Sequence, residues 1–141
     1  VWLTPLKALA ADTALALRQA AQGLGLGWKI ELRTGDSTQS ARARHRTGNL
    51  PHVLVTTPES LSLLLSYPEL TEASAEGGAP LSHVRTVVVD EWHELLGSKR
   101  GVQVELALSR LRALNPRLMT WGLSATLGNP RQAAEVLTGP G

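Results

Sequence analysis

The sequence predicts an α/β fold in which an open, mostly parallel sheet carries helices on both faces. Three observations predict it. Short apolar runs alternate with helical periodicities and are joined by brief turns. One run, Val87-Val88-Val89, lacks polar alternation, the pattern of a strand buried on both faces. Polar residues suited to capping and phosphate binding follow every apolar run, where an open parallel sheet gathers its ligands.

Taken in order, Val1-Trp2-Leu3 is the first strand, and Thr4-Pro5 places a cap residue before a proline suited to a first helical position. Leu6, Leu9, Thr13, Ala16, Leu17 and Ala20 recur at three and four, predicting an amphipathic helix that ends in the Gly23 to Gly27 cluster. Trp28 to Leu32 alternates as a strand does. Gly35-Asp36-Ser37 offers a turn and an N-cap before a solvated helix over Thr38 to Thr47, which holds Arg42, Arg44, His45 and Arg46. His52 to Val55 is a strand, and Thr57-Pro58-Glu59-Ser60 opens a capped helix through Leu65. Tyr67 to Ser82, with Pro68, Gly77, Gly78, Pro80 and three glutamates, is expected to be an acidic surface excursion. Val84 to Val89 is the next strand and stops at Asp90-Glu91. Val102, Leu106, Ser109, Leu111 and Leu114 mark a helix over Gly101 to Leu114, Leu118 to Leu123 is the last strand, and Asn129-Pro130 starts a final helix.

Composition excludes several function classes. The 141 residues match one domain, and 43% hydrophobic residues are enough for a core. Fourteen basic against twelve acidic residues leave +2, with 11 Arg and 3 Lys, too small an excess to name a nucleic-acid partner without a motif. The absence of cysteine excludes disulfides, Cys-type zinc sites and thiol nucleophiles, and permits a reduced, cytoplasmic setting. Asp12 and Arg18 interrupt the richest apolar stretch, Ala8 to Leu17, short of the ~18 residues a membrane span needs, so no membrane partner is expected. The opening Val1, in place of an initiator Met, and the closing Gly139-Pro140-Gly141 suggest a piece cut from a longer chain.

The chemistry concentrates at the strand ends. Thr4-Pro5 follows the first strand, Thr34-Gly35-Asp36 the second, Thr56-Thr57-Pro58-Glu59 the third, Asp90-Glu91-Trp92-His93 the fourth and Ser124-Ala125-Thr126 the fifth. In nucleotide hydrolysis a rigid strand such as Val87-Val88-Val89 holds the first carboxylate against magnesium-bound water, while the next carboxylate orients or deprotonates the attacking water. The plainer alternative has Asp90 capping the following turn and Glu91 simply exposed. Lys7, by charge, and the Thr57-Pro58 helix start, by free N–H groups and hydroxyls, can each meet a phosphate or merely cap a helix. Arg42, Arg44 and Arg46 do not all point one way on a helix, and Lys99-Arg100 is equally ambiguous. His93-Glu94-Leu95-Leu96-Gly97 fails the zinc-protease pattern at Gly97. No Gly-Lys pair exists to build a phosphate loop, and Trp28 stands where Gly23 and Gly25 would need a third glycine, so these residues by themselves cannot grip a triphosphate.

Thr4-Pro5-Leu6-Lys7-Ala8-Leu9, Thr34-Gly35-Asp36, Thr56-Thr57-Pro58-Glu59-Ser60-Leu61, Asp90-Glu91-Trp92-His93 and Leu123-Ser124-Ala125-Thr126-Leu127 resemble, in this order, motifs Ia, Ic-like, Ib, II and III of superfamily-two DExH helicases. The run from Asp90 to Gly101 resembles the Lhr (large helicase-related) group, with Trp92 pointing to its bacterial ligase-associated branch. The resemblance implies an ATP- and Mg2+-using DNA helicase or translocase that moves 3′ to 5′ on single strands, in DNA repair. Its partners would be single-stranded or tailed duplex DNA, or an RNA–DNA hybrid, the remainder of the parent helicase, and repair proteins. By similarity Asp90 holds magnesium through water, Glu91 activates the hydrolytic water, and His93 links the nucleotide to Ser124 and Thr126, which couple hydrolysis to strand movement. Thr4, Pro5, Lys7, Gly35, Thr57 and Pro58 match positions along the nucleic-acid backbone, with Asp36 and Glu59 ordering those loops.

The family's phosphate loop would precede Val1, and its motifs IV to VI would lie in a second RecA-like domain after Gly141. Residues 1–141 are then expected to be the middle and C-terminal part of the first RecA-like domain, inactive alone, with a sheet edge bared by the missing strand. Two other readings compete. One is a non-catalytic nucleic-acid-binding or partner-docking module. The other is a metal-dependent phosphoesterase using Asp90, Glu91 and His93, for which Asp36 and Glu59 are the further ligands on offer.

Overall fold

A computed structural model describes residues 1–35, 50–73, 77–125 and 128–139 of the chain. The expected helix over Thr38 to Thr47, and the site candidates Asp36 and Thr126, lie outside the described residues.

Five parallel strands form one sheet: β1 (Trp2–Leu3), β2 (Ile30–Arg33), β3 (Val53–Thr56), β4 (Thr86–Val89) and β5 (Met119–Gly122), in the order β2-β3-β1-β4-β5. Helix α1 (Lys7–Gly23) covers one face, over β2 and β3. The other face carries α2 (Pro58–Leu65), α3 (Pro68–Thr71), α4 (Trp92–Leu95), α5 (Lys99–Leu114) and α6 (Pro130–Thr138). Alternation along the strands sorts the two cores: Leu3, Leu54, Val87 and Val89 point toward α2 and α5, while Trp2, Val53, Val55 and Ile30 point toward α1.

Strand β1 adjoins β4, and the connections leaving them diverge: α1 returns to β2 over one face, whereas α4 and α5 return to β5 over the other. Such a reversal opens a crevice at the carboxyl ends of the two strands. The described parts of the five polar segments, Thr4-Pro5, Thr34-Gly35, Thr56 to Glu59, Asp90 to His93 and Ser124-Ala125, lie at the carboxyl ends of the five parallel strands.

Several local expectations are corrected. Helix α1 begins at Lys7, with Leu6 at its N-cap, and Thr4 takes no capping role. Thr4 extends the pairing with β3 through its N–H to Thr56 O (3.0 Å), which keeps it out of the helix. The buried face of α1 is Ala10, Ala14 and Ala21, with Leu6 61% exposed, and α5 buries Gly101, Val104, Ala107, Leu108 and Leu111 while Val102 and Leu106 face outward. In α1 the buried face is alanine alone, whereas in α5 Gly101 and Ala107 sit among the buried Val104, Leu108 and Leu111. Strand β2 is displaced toward Arg33, leaving Trp28 half exposed. Tyr67 to Ser82 is not a bare excursion: Leu70, Ala79 and Leu81 are buried, anchored by α3 and a short 3-10 turn over Pro80–His83.

Strand β4 is not buried on both faces. Val87 and Val89 are buried but Thr86 and Val88 are partly open. The uncovered part is a half-face: Trp2 registers with Val88 and Val88 with Trp121 across three neighbouring strands. Trp121 is 60% and Met119 56% exposed there, and no described helix packs on them from that side. A groove of about 760 Å³ begins beside Trp2 and Val88 and is walled also by His52, Leu81, His83 and Val84, so it does not extend to Met119 and Trp121.

Candidate functional site

Backbone hydrogen bonds continue past the strand ends and hold the Asp90 segment rigidly. Asp90 N–H donates to Leu3 O (2.8 Å), Leu123 N–H to Val89 O (2.8 Å) and Trp92 N–H to Leu123 O (2.9 Å). The Asp90–Trp92 turn is thereby laced to β1 on one side and to the residues after β5 on the other. Trp92 is buried and its indole N–H donates to Ala133 O (3.0 Å), tying the same turn to α6.

The Asp90 carboxylate is oriented by two donors. Glu91 N–H reaches Oδ1 (3.0 Å) and the Trp2 indole N–H reaches Oδ2 (3.3 Å). Sequence reasoning passed over Trp2. It precedes the motif residues by two positions, and its proximity to Asp90 arises from β1–β4 pairing across 88 positions.

Glu91 adopts a left-handed backbone conformation, φ 50° and ψ 42°, unlike every other described non-glycine residue. A residue with a Cβ there carries about 1–2 kcal/mol of backbone strain. The turn has a use: it throws the Glu91 side chain toward His93, whose Nδ1 lies 3.4 Å from Glu91 Oε2 and 3.1 Å from Ser124 Oγ, while Nε2 lies 3.5 Å from Glu94 Oε1. Asp90, Glu91, His93 and Ser124 thus form one connected polar group at the ends of β4 and β5. Thr126, expected beside them, is outside the described residues.

The second set of candidates lies around β1, β2 and β3. Lys7 opens α1, and its ammonium hangs over Gly35, where a Cβ would lie 3.8 Å from Nζ. Gly35 is therefore the space into which Lys7 folds. Thr4, Pro5, Thr57 and Pro58 are all buried, so these positions offer neighbouring backbone and surface rather than projecting side chains. The Thr4 hydroxyl donates to Leu6 O (3.1 Å), Thr56 Oγ1 donates to Arg33 O (2.7 Å), and Thr57 Oγ1 lies 3.3 Å from Ser60 Oγ. Thr57 is the N-cap of α2 with Pro58 next, as expected, but its hydroxyl takes Ser60 in place of a backbone N–H. Glu59 reaches across to Arg100, which donates from Nε to Oε1 (2.6 Å) and from Nη2 to Oε2 (3.2 Å). Partial burial raises the Glu59 carboxyl, but the hydrogen bonds and charge of Arg100 outweigh it and hold the group below the usual carboxylate range.

Among the described residues, no three of His, Cys, Asp and Glu come together as ligands for a metal ion. Asp36, a further ligand on offer for the phosphoesterase reading, lies outside the described residues. A single carboxylate at a strand end does suit Mg2+, which retains waters and is held by one or two carboxylates together with substrate phosphates. No described helix is long and apolar enough to cross a membrane.

This geometry matches known proteins. The profile of the DEAD/DEAH box helicase family matches residues 1–134. The ATP-dependent helicase Lhr-Core of Methanothermobacter thermautotrophicus is 40% identical over an alignment covering 99% of this chain and 16% of its own length. The structure of the Mycobacterium smegmatis helicase Lhr bound to ssDNA and AMP-PNP superposes with a TM-score of 0.74 at 39% identity, over 98% of this chain and 18% of that one. The DUF1998 helicase MrfA bound to DNA and AMPPNP gives a TM-score of 0.77 at 25% identity, over 98% of this chain and 19% of that one. The chain spans less than a fifth of the length of these relatives. With an all-parallel α/β sheet, the Asp-Glu-x-His turn at its fourth strand and a profile match over nearly its whole length, the chain belongs to the DEAD/DEAH box helicase family and is of the Lhr type within it.

Proposed function

We propose that this chain is the part of an ATP-dependent DNA helicase's first RecA-like domain that runs from motif Ia to motif III, coupling ATP hydrolysis to movement along single-stranded or tailed duplex DNA in repair. The carrying observation is the continuous contact from Asp90 through Glu91 and His93 to Ser124. Magnesium-bound ATP would supply an electrophilic γ-phosphorus, toward which the residues here orient water and metal. Asp90, fixed by Trp2 and the Glu91 N–H, is the residue that would hold magnesium through water. Glu91 orients the attacking water and takes its proton. His93 stands between Glu91 and Ser124 and transmits the change in charge at Glu91 to Ser124, just after β5. Lys7 over Gly35, and the α2 start at Thr57 and Pro58, follow the strand's phosphates without reading its bases.

The incomplete sheet supports the domain assignment. Crossovers in parallel sheets are right-handed, and here connections toward β2 use the α1 face while those toward β5 use the other. A strand added outside β5 and joined by a helix to β1 would lay that helix on the α1 face, over Val88 and Trp121, where the half-face is open. That strand and helix would bring the phosphate loop, without which residues 1–141 do not turn over ATP. The test is ATP hydrolysis by the full-length protein with and without single-stranded DNA, beside the 141-residue polypeptide. DNA-stimulated turnover in the first and none in the second is expected. A full-length protein that binds DNA without hydrolysing ATP would leave the competing binding-module reading.

A further inference from the structure

The Arg100–Glu59 fork joins the first turns of two helices whose N-termini both open at the carboxyl edge of the sheet. Arg100 is oddly placed for stability. Cations at a helix N-terminus oppose the helix dipole, and the first turn of α5 contains no acidic residue to compensate. The pair is also exposed, at 36% for Arg100 and 52% for Glu59, and exposed ion pairs contribute little to folding. Glu59 is well placed for its own dipole but badly placed for a phosphate, because it puts a full negative charge at the α2 start. A fork that engages both carboxylate oxygens removes that charge more completely than a single contact can.

We propose that Arg100 is a positioning residue for nucleic-acid binding: it draws Glu59 against α5 and masks its charge, so that a strand phosphate can approach the start of α2. The proposal rests on the reading of α2 as part of the strand path. Arg100 does not touch the strand in this arrangement; it acts through Glu59.

The two roles separate in a double-variant cycle on the full-length protein, with binding of a single-stranded oligonucleotide followed by fluorescence anisotropy at several salt concentrations. Arg100→Ala uncovers Glu59 and is expected to weaken binding about fivefold, an effect of one nearby unscreened charge. In the Glu59→Gln background there is no charge left to mask, so the same Arg100→Ala change should alter binding by less than about twofold. The salt slope should stay within a few tenths, because no phosphate contact is lost. If Arg100→Ala weakens binding equally in both backgrounds and the slope falls by about 0.7, Arg100 holds a phosphate itself and the proposal is overturned. If Arg100→Ala lowers the thermal midpoint but leaves binding unchanged, the fork is a stability device and the proposal is overturned likewise. A wild-type protein with no affinity for single strands would instead refute the reading of the α2 path, and the masking role with it.

Discussion

Replacing Gly101 with alanine should destabilise the fold, although a glycine-to-alanine change within a helix ordinarily helps. Gly101 sits in the first turn of α5, capped by Ser98 Oγ (3.1 Å), and its backbone lies directly against the end of α4. A Cβ there would stand 2.1 Å from Leu95 O and 3.0 Å from Leu95 C. Carbon–oxygen contacts settle at about 3.3–3.6 Å, so the first turn of α5 must retreat by roughly an ångström from backbone that cannot rotate aside. Overpacking of this kind costs about 1–3 kcal/mol, against a helix-propensity gain of at most ~1 kcal/mol. The expected net loss is about 1–2 kcal/mol, read as a lower urea midpoint with tryptophan fluorescence as the probe. An unchanged or raised midpoint would refute the close approach of α4 and α5.

Three further outcomes are expected. At Glu91 the φ of 50° reverses the usual order of substitutions: Glu91→Gly should be more stable than Glu91→Ala by about 1 kcal/mol in urea unfolding, and the opposite order would remove the strained turn from the account. Lys7→Ala should weaken single-strand binding almost independently of sequence and lower the salt slope by about 0.7, whereas an unchanged slope would place Lys7 off the strand. The 141-residue polypeptide should self-associate as its concentration rises, through the open β5 edge and the exposed Met119 and Trp121; Trp121→Lys should suppress this. A 141-residue polypeptide that stays monomeric with fully reversible two-state unfolding would show that the half-face needs no cover.

Much of the site was legible because turn chemistry and strand ends are local. Thr57-Pro58 and Asp90-Glu91 occupy places their neighbours in sequence dictate, whereas the Ser98 cap, which starts α5 two residues before the expected Gly101, went unread. The helix faces were harder. In α1 the hydrophobic pattern weights leucine, whereas the buried surface is built on Ala10, Ala14 and Ala21; in α5 the pattern found Leu111 but chose Val102 and Leu106 over the buried Val104, Ala107 and Leu108. Thr4 looked like a cap because the signal for one is the residue type followed by proline, while β-pairing to Thr56 decided otherwise. The contacts that orient the site join distant parts of the chain: Trp2 to Asp90 spans 88 positions and Arg100 to Glu59 spans 41. No spacing rule reaches that far, since these pairs exist only once the strand order is fixed.

The central claim is that Glu91 prepares the attacking water while Asp90 would hold magnesium through water. Glu91→Gln in the full-length protein tests it most directly, because the amide keeps the size of the side chain and loses the base. The account predicts ATP affinity within a few-fold of wild type, measured with a fluorescent nucleotide, and DNA-stimulated hydrolysis reduced by at least ~100-fold. Hydrolysis close to the wild-type rate in that variant would contradict it.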